Sequence, residues 1–429
     1  MQHRISAPGS YPTGRRAGRR TDRHRDEDGE AVRILLTSQP IYSHLVPALV
    51  PLARTARALG HSVAVATAAS MADELARYGV PHLPLPNVAG QDRLRNDPRL
   101  AEEFGLPQRL LTERRTVDPV AAEQIARAYA GPIALRFARD LLDVAGPWQP
   151  DVVVHEPAEY GGYLFAELLG IPHVTLDISP YAMRELPLVS ATLDAQRAAL
   201  GLASVDDPLH PHRHLRAGLV PDAWYPDELR LPTARHYRAP AGDGAPLDPV
   251  IAALPADRPV ILASLGSLVL TLPGMAELLP PLVAALGSLP CHTVLALGGR
   301  PELANLVGPP PENVHLTPFV AQRTLLPAVD LFLTHAGFNA VHEAVGAGVP
   351  MVALPVFADQ PANADRISEL GLGERLDVAE LTVPDVVETC ARVLDDPGYR
   401  WRARAMQRRH LGSPGFDELV ADLTELVGR

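Results

Sequence analysis

The alternation of "VRILLTS", "PALVPLARTARALG" and "HSVAVAT" between Val32 and Thr67 constrains this chain more than any other feature of it. Two short apolar runs flank a helical stretch with Pro47 near its start and Gly60 at its end. Strand, helix and strand joined by short loops fold as a right-handed parallel βαβ unit. The pattern returns at "DVVVHE" (151–156), "EYGGYLFAELLG" and "PHVTL" (172–176). It lapses between Tyr181 and about Asp257, a stretch that reads as irregular and contains "HPHRH" at 210–214 and the Pro/Gly-rich "RAPAGDGAPLDP" at 238–249. A second series starts at "RPVILASLGS" (258–267) and runs through strands near 291–299, 313–317, 330–334 and 350–356.

The reading is therefore α/β, with two Rossmann-like domains facing across a cleft. The expected divisions are an N-terminal arm at 1–30, a first domain at 31–240, a linker at 241–257 and a second domain at 258–429. The last helix is expected to return to the first domain. A length of 429 residues agrees with two domains. Residues 1–30 are rich in Arg and poor in apolar groups, and read as a disordered extension.

Composition excludes several functions. The net charge of −11 leaves no broad basic surface for nucleic acid. All 39 basic residues are Arg, so Schiff-base and P-loop lysine chemistry are excluded. Cys291 and Cys390 have no metal-ligand spacing. No secretory h-region or long apolar run is seen, so a cytoplasmic location is expected. "HPHRH" lacks Cys or carboxylate partners and reads as a solvated loop rather than a metal site.

The candidate chemistry lies at strand ends, where open α/β sheets bind ligands. No G-x-G-x-x-G follows the first strand; His44 stands there instead, with an ordinary pKa suited to general-base work. At the end of "DVVVHE", either Glu156 or His155 faces the same cleft, and a carboxylate bonded to His44 would fix its tautomer. In "LTHAGFNAVHEAVGAG", His335, Gly337 and Asn339 open a helix whose N–H groups suit an anion. Glu343 offers a carboxylate to sugar hydroxyls, Asp359 and Gln360 follow the next strand, and "SLGS" (264–267) adds a Gly-Ser turn. His342 reads as packing or surface.

From about residue 32 onward the chain resembles the GT-B glycosyltransferases of family 1, bacterial enzymes that glycosylate antibiotics and other natural products. The stretch 319–360 carries most of the likeness. The resemblance implies an inverting transfer from an NDP-sugar (UDP or dTDP) to a hydroxyl of a small aglycone, with no metal or other cofactor. It implies that His44 is the base and Glu156 its orienting carboxylate. Phe319 would stack on the nucleotide base beside Gln322, Ser267, His335 and Asn339 would meet the diphosphate, Glu343 the ribose, and Asp359 and Gln360 the sugar. Ser43, Glu156, Phe319, Ala321, Ala336 and Ala340 depart from the usual Gly, Asp, Trp, Pro, Gly and Ser/Thr. A donor-binding accessory protein and a GT-B nucleotide-sugar epimerase are the rival readings.

Overall fold

The predicted strands are short, apolar and buried on both faces, as a parallel sheet covered by helices requires. Ile34, Leu35 and Leu36, for example, are fully buried. A computed structural model describes residues 31–106, 119–180, 186–240 and 244–429, and the arm expected at 1–30 lies outside the described residues. Residues 32–429 form one unit containing two sheets.

The first sheet contains β1 (Arg33–Thr37), β2 (Ser62–Ala68), β3 (His82–Leu85), β4 (Val152–His155), β5 (His173–Leu176), β6 (Leu215–Gly218) and β7 (Ala234–His236). Their order is β3-β2-β1-β4-β5-β6-β7. The neighbours are parallel, with Ile34 in register with Val63 on one side and Val152 on the other. The second sheet contains β8 (Val260–Ser264), β9 (His292–Ala296), β10 (Val314–Thr317), β11 (Leu331–Thr334), β12 (Met351–Ala353) and β13 (Gly373–Arg375). Their order is β10-β9-β8-β11-β12-β13, again parallel.

In each sheet the strand order reverses at one place: between β1 and β4 in the first, and between β8 and β11 in the second. Loops leaving these paired strands diverge to opposite sides, which opens a crevice at their carboxyl ends. Seven helices matter here: α1 (Val50–Ala58), α2 (Ala134–Val144), α3 (Gly161–Leu169), α4 (Phe338–Ala347), α5 (Gln360–Glu369), α6 (Pro397–Leu411) and α7 (Phe416–Gly428). Helix α7 packs on α1 and β4 of the first sheet. Its Phe416, Leu419, Val420 and Leu423 share an apolar cluster with Leu52, Ala53 and Ala56.

Two expectations are corrected. The stretch read as irregular contains a helix (Leu186–Ala199) and strands β6 and β7. The "HPHRH" run is not solvated: His212 is buried, with His210 and His214 partly so. Thr175 Oγ1 lies 2.9 Å from His212 Nδ1, and Tyr163 Oη lies 2.8 Å from His210 Nδ1. The run forms part of a packed histidine group beneath β5, where the His173 and His214 rings meet edge to face at 4.6 Å.

Candidate functional site

A cleft of about 1980 Å³ lies where the carboxyl ends of the two sheets face each other. This exceeds the ~300–1,000 Å³ of a single small-ligand pocket. Its walls include His44 and Glu156 from the first sheet, and Ser267, Phe319, Gln322, His335, Gly337, Asn339, Glu343, Asp359 and Gln360 from the second. All the residues singled out in the sequence thus meet in one cavity. His155 is the exception: it is buried beneath the sheet with Nε2 3.4 Å from Thr175 Oγ1.

The first-sheet wall is built from the loops after β1 and β4. His44 lies in a helical turn, Tyr42–His44, that runs on through Leu45–Leu49 into α1, rather than in an open loop. Its Nδ1 is 3.1 Å from Glu156 Oε1, so the longer Glu spans the gap to the imidazole. Glu156 is fully buried; it also accepts from the Gln39 N–H at 3.1 Å and the Ala158 N–H at 2.7 Å. Burial favours its neutral form, yet His44 and these N–H groups outweigh that and lower its pKa. Burial likewise depresses the His44 imidazole, but the charge and hydrogen bond of Glu156 and the charge of Asp359 prevail, and its pKa is raised. With Nδ1–H donated to Glu156, Nε2 keeps its lone pair for another partner.

The second-sheet wall is a set of close backbone approaches. A Cβ on Gly266 would lie 2.7 Å from His335 Cε1, and one on Gly337 2.6 Å from His335 Nε2. Only glycine on both sides leaves room for the ring. Gly337 is the N-cap of α4 and has no side chain to cap it, so first-turn N–H groups face the cleft. Ala336, immediately before it, is held at φ 60°, a left-handed conformation costly for any residue with a Cβ. Burial lowers His335 to about 4, so in the ligand-free cleft it is a neutral hydrogen-bonding ring.

Glu343 is already engaged: Gln322 Nε2 donates to it at 2.8 Å and Arg323 Nε lies 3.4 Å away. Arg323 was missed in the sequence, although it adjoins Gln322. Gln360 spends its carbonyl oxygen on the N–H groups of Val356 and Phe357, at 2.9 and 3.1 Å. Burial lifts Asp359 to about 6, and Asn363 Nδ2 donates to it at 2.9 Å. Asn339 does not wait unpaired for a phosphate, because its amide donates to the Ser43 carbonyl. His342 is packing: it stacks on Phe338 and meets His410 edge to face at 5.4 Å.

Comparison with known proteins identifies the scaffold. The family model described as UDP-glucoronosyl and UDP-glucosyl transferase matches residues 252–415. The chain is 30% identical to L-demethylnoviosyl transferase of Streptomyces niveus, over 84% of its own length and 88% of the relative's. The chain belongs to this glycosyltransferase family. The transferase is also 28% identical to 10-deoxymethynolide desosaminyltransferase of Streptomyces venezuelae, covering 93% of this chain and 98% of that one. Among solved structures it resembles the Streptomyces sp. SF2575 glycosyltransferase SsfS6 complexed with thymidine diphosphate, with a TM-score of 0.68 and 26% identity. That likeness covers 91% of this chain and 98% of the other. The two parallel sheets of the transferase are thus the GT-B architecture, and it is of the natural-product type. Among the described residues, no helix is long and apolar enough to cross a membrane.

Proposed function

We propose that the transferase moves a sugar, with inversion, from a pyrimidine nucleoside diphosphate sugar onto a hydroxyl of a small natural-product aglycone, His44 serving as general base and the nucleoside diphosphate leaving. The observation that carries this is the 3.1 Å bond from His44 Nδ1 to buried Glu156 at the wall of the cleft. Glu156 holds the imidazole in the tautomer whose Nε2 takes the acceptor proton. The acceptor oxygen attacks the anomeric carbon opposite the diphosphate, so the configuration inverts.

The acceptor lies on the first-sheet side, where Ile125, Tyr129, Tyr160, Ile178 and Val189 give an apolar lining. The donor lies against the second sheet. Its base stacks on Phe319, its ribose meets Glu343, and its diphosphate meets Ser267, His335 and the uncapped start of α4. Asp359 and the Gln360 amide hold the sugar. The relative solved with thymidine diphosphate supports a donor of this class. As the diphosphate departs, N–H groups at the helix start stabilise its growing charge. No step of this scheme is assigned to a metal.

The test is turnover of His44→Ala with NDP-sugars and an aglycone panel, with mass detection of NDP and glycoside. General-base loss lowers turnover at least ~100-fold and leaves donor binding nearly intact. Normal turnover would remove His44 from the chemistry.

A further inference from the structure

A second carboxyl group stands behind the His44–Glu156 pair. Glu159 is fully buried in the turn between β4 and α3, and its N–H donates to the Glu156 carbonyl at 2.9 Å. Its side-chain partners are neutral: the Thr37 hydroxyl at the end of β1, and the Gly162 N–H, which lies 3.0 Å from both carboxyl oxygens. A pocket is built around it. A Cβ on Gly161 would lie 2.8 Å from one Glu159 oxygen and one on Gly162 2.7 Å from the other.

The two carboxyls together clamp the segment that carries the base. Glu159 holds Thr37, while Glu156 holds Gln39 and His44. Their electrostatic settings differ sharply. Glu156 faces His44, whereas among the described residues no ion pair reaches Glu159. From its own turn it faces Glu156, and His155 adjoins. From β1 it meets the Thr37 hydroxyl. Helix α2 brings Phe137 and Ala138 to this point, its Arg136 and Asp140 being engaged elsewhere with Glu103 and Asn87. Two like charges in one buried turn oppose each other, and the one with no imidazole N–H beside it keeps its proton.

We propose that Glu159 is a positioning residue, held uncharged so that Glu156 carries the only negative charge of the pair and the loop bearing His44 stays anchored through Thr37. Burial lifts Glu159 to about 8, which places its ionisation on the alkaline side of neutrality. Losing that proton sets two charges against each other beneath His44, and transfer declines. The kinetic side of this inference rests on His44 being the base; the spectroscopic side does not.

The experiment pairs the pH profile of glycosyl transfer with the infrared carboxyl spectrum of the donor-free protein. Wild-type turnover is expected to fall as pH rises through about 8. Glu159→Gln, which cannot ionise, is expected to keep neutral-pH turnover within ~3-fold and to lose that alkaline limb. Wild-type protein is expected to show a protonated-carboxyl band just above neutral pH, which vanishes at alkaline pH and is missing from Glu159→Gln. If that variant does not fold, the Thr37→Val variant decides by shifting the band. An unchanged alkaline limb in Glu159→Gln, a loss beyond ~100-fold at neutral pH, or no protonated carboxyl in the wild type each overturns the proposal. If no aglycone is glycosylated the transfer reading fails, and the infrared result still judges Glu159.

Discussion

Asn339 Nδ2 of the second sheet's helix donates to the Ser43 carbonyl of the first sheet's loop at 2.7 Å, one residue before His44. Pro47, four residues after Ser43, has no N–H to offer that carbonyl, so the helical turn leaves an acceptor for a partner outside it. The wall proposed to receive the donor is thereby fastened to the loop that carries His44. Asn339→Ala removes a hydrogen bond of about 0.5–1.5 kcal/mol, roughly 2–10-fold in an equilibrium. Turnover and donor affinity are expected to fall together. Calorimetry with NDP alongside steady-state kinetics checks this, and a change in affinity alone would deny the strap a part in placing His44.

Glu156→Gln keeps an acceptor for His44 Nδ1 and removes the charge. Because Glu156 raises the His44 pKa, its loss lowers it. The base form then survives to lower pH, so the acid inflection of the rate profile moves down. The plateau is expected to fall at least ~10-fold, within the ~10²–10⁴ that general-base catalysis supplies. An inflection that stays in place would assign it to another group.

Phe319 is 73% exposed, so the fold does not depend on its ring. Stacking of a base on an aromatic ring is worth about 1–3 kcal/mol. Phe319→Ala is expected to raise the donor Kd about 5–150-fold, with Tm and turnover at saturation little changed. Phe319→Trp is expected to retain the affinity.

Acid is expected to unfold the protein by way of its buried histidines. Burial lowers His155 to about 4, His173 to about 3, His342 to about 3 and His410 to about 4, and His212 well below its ordinary value. The unfolded chain protonates these rings near ~6.5, whereas the fold keeps them neutral. Their stabilisation is therefore complete above that pH and is lost as pH falls toward the folded values, by about 1.4 kcal/mol per ring per pH unit. Glu159 and Asp359, raised to about 8 and about 6, pull the other way but are fewer. Urea unfolding at a series of pH values measures the slope, and constant stability from ~7 down to ~5 would contradict it.

The sheets were legible where strands are central and apolar. They were not legible at β3, β7 and β13, short edge strands whose half-exposed residues carry no run of buried positions, nor at β6, a buried inner strand whose short apolar run is broken by Arg216. The "HPHRH" run hid its burial because nothing local announces β5 and α3 packing over it. That His44, Glu156, His335, Glu343, Asp359 and Gln360 line one cleft was legible from strand ends and turn glycines, whereas Phe319 and Gln322 came from the family resemblance alone. Their partners could not be read, since Asn339 and Ser43 are 296 residues apart in sequence. Glu159 carries no signal of its own in "EYGGYLFAELLG"; the room that Gly161 and Gly162 leave for it is visible only in three dimensions.

Helix α7 packs on the first sheet although it follows the second sheet in the chain, and its Asp422 receives Arg235 and Tyr237 beside β7. The first-sheet lobe is consequently unfinished until residues 416–428 have been made. A fragment ending in the linker would expose the apolar side of α1, and a nick there would leave two pieces still interlocked. Trimming the carboxyl terminus should therefore harm the lobe that begins at Val32 more than the lobe to which the trimmed residues are joined.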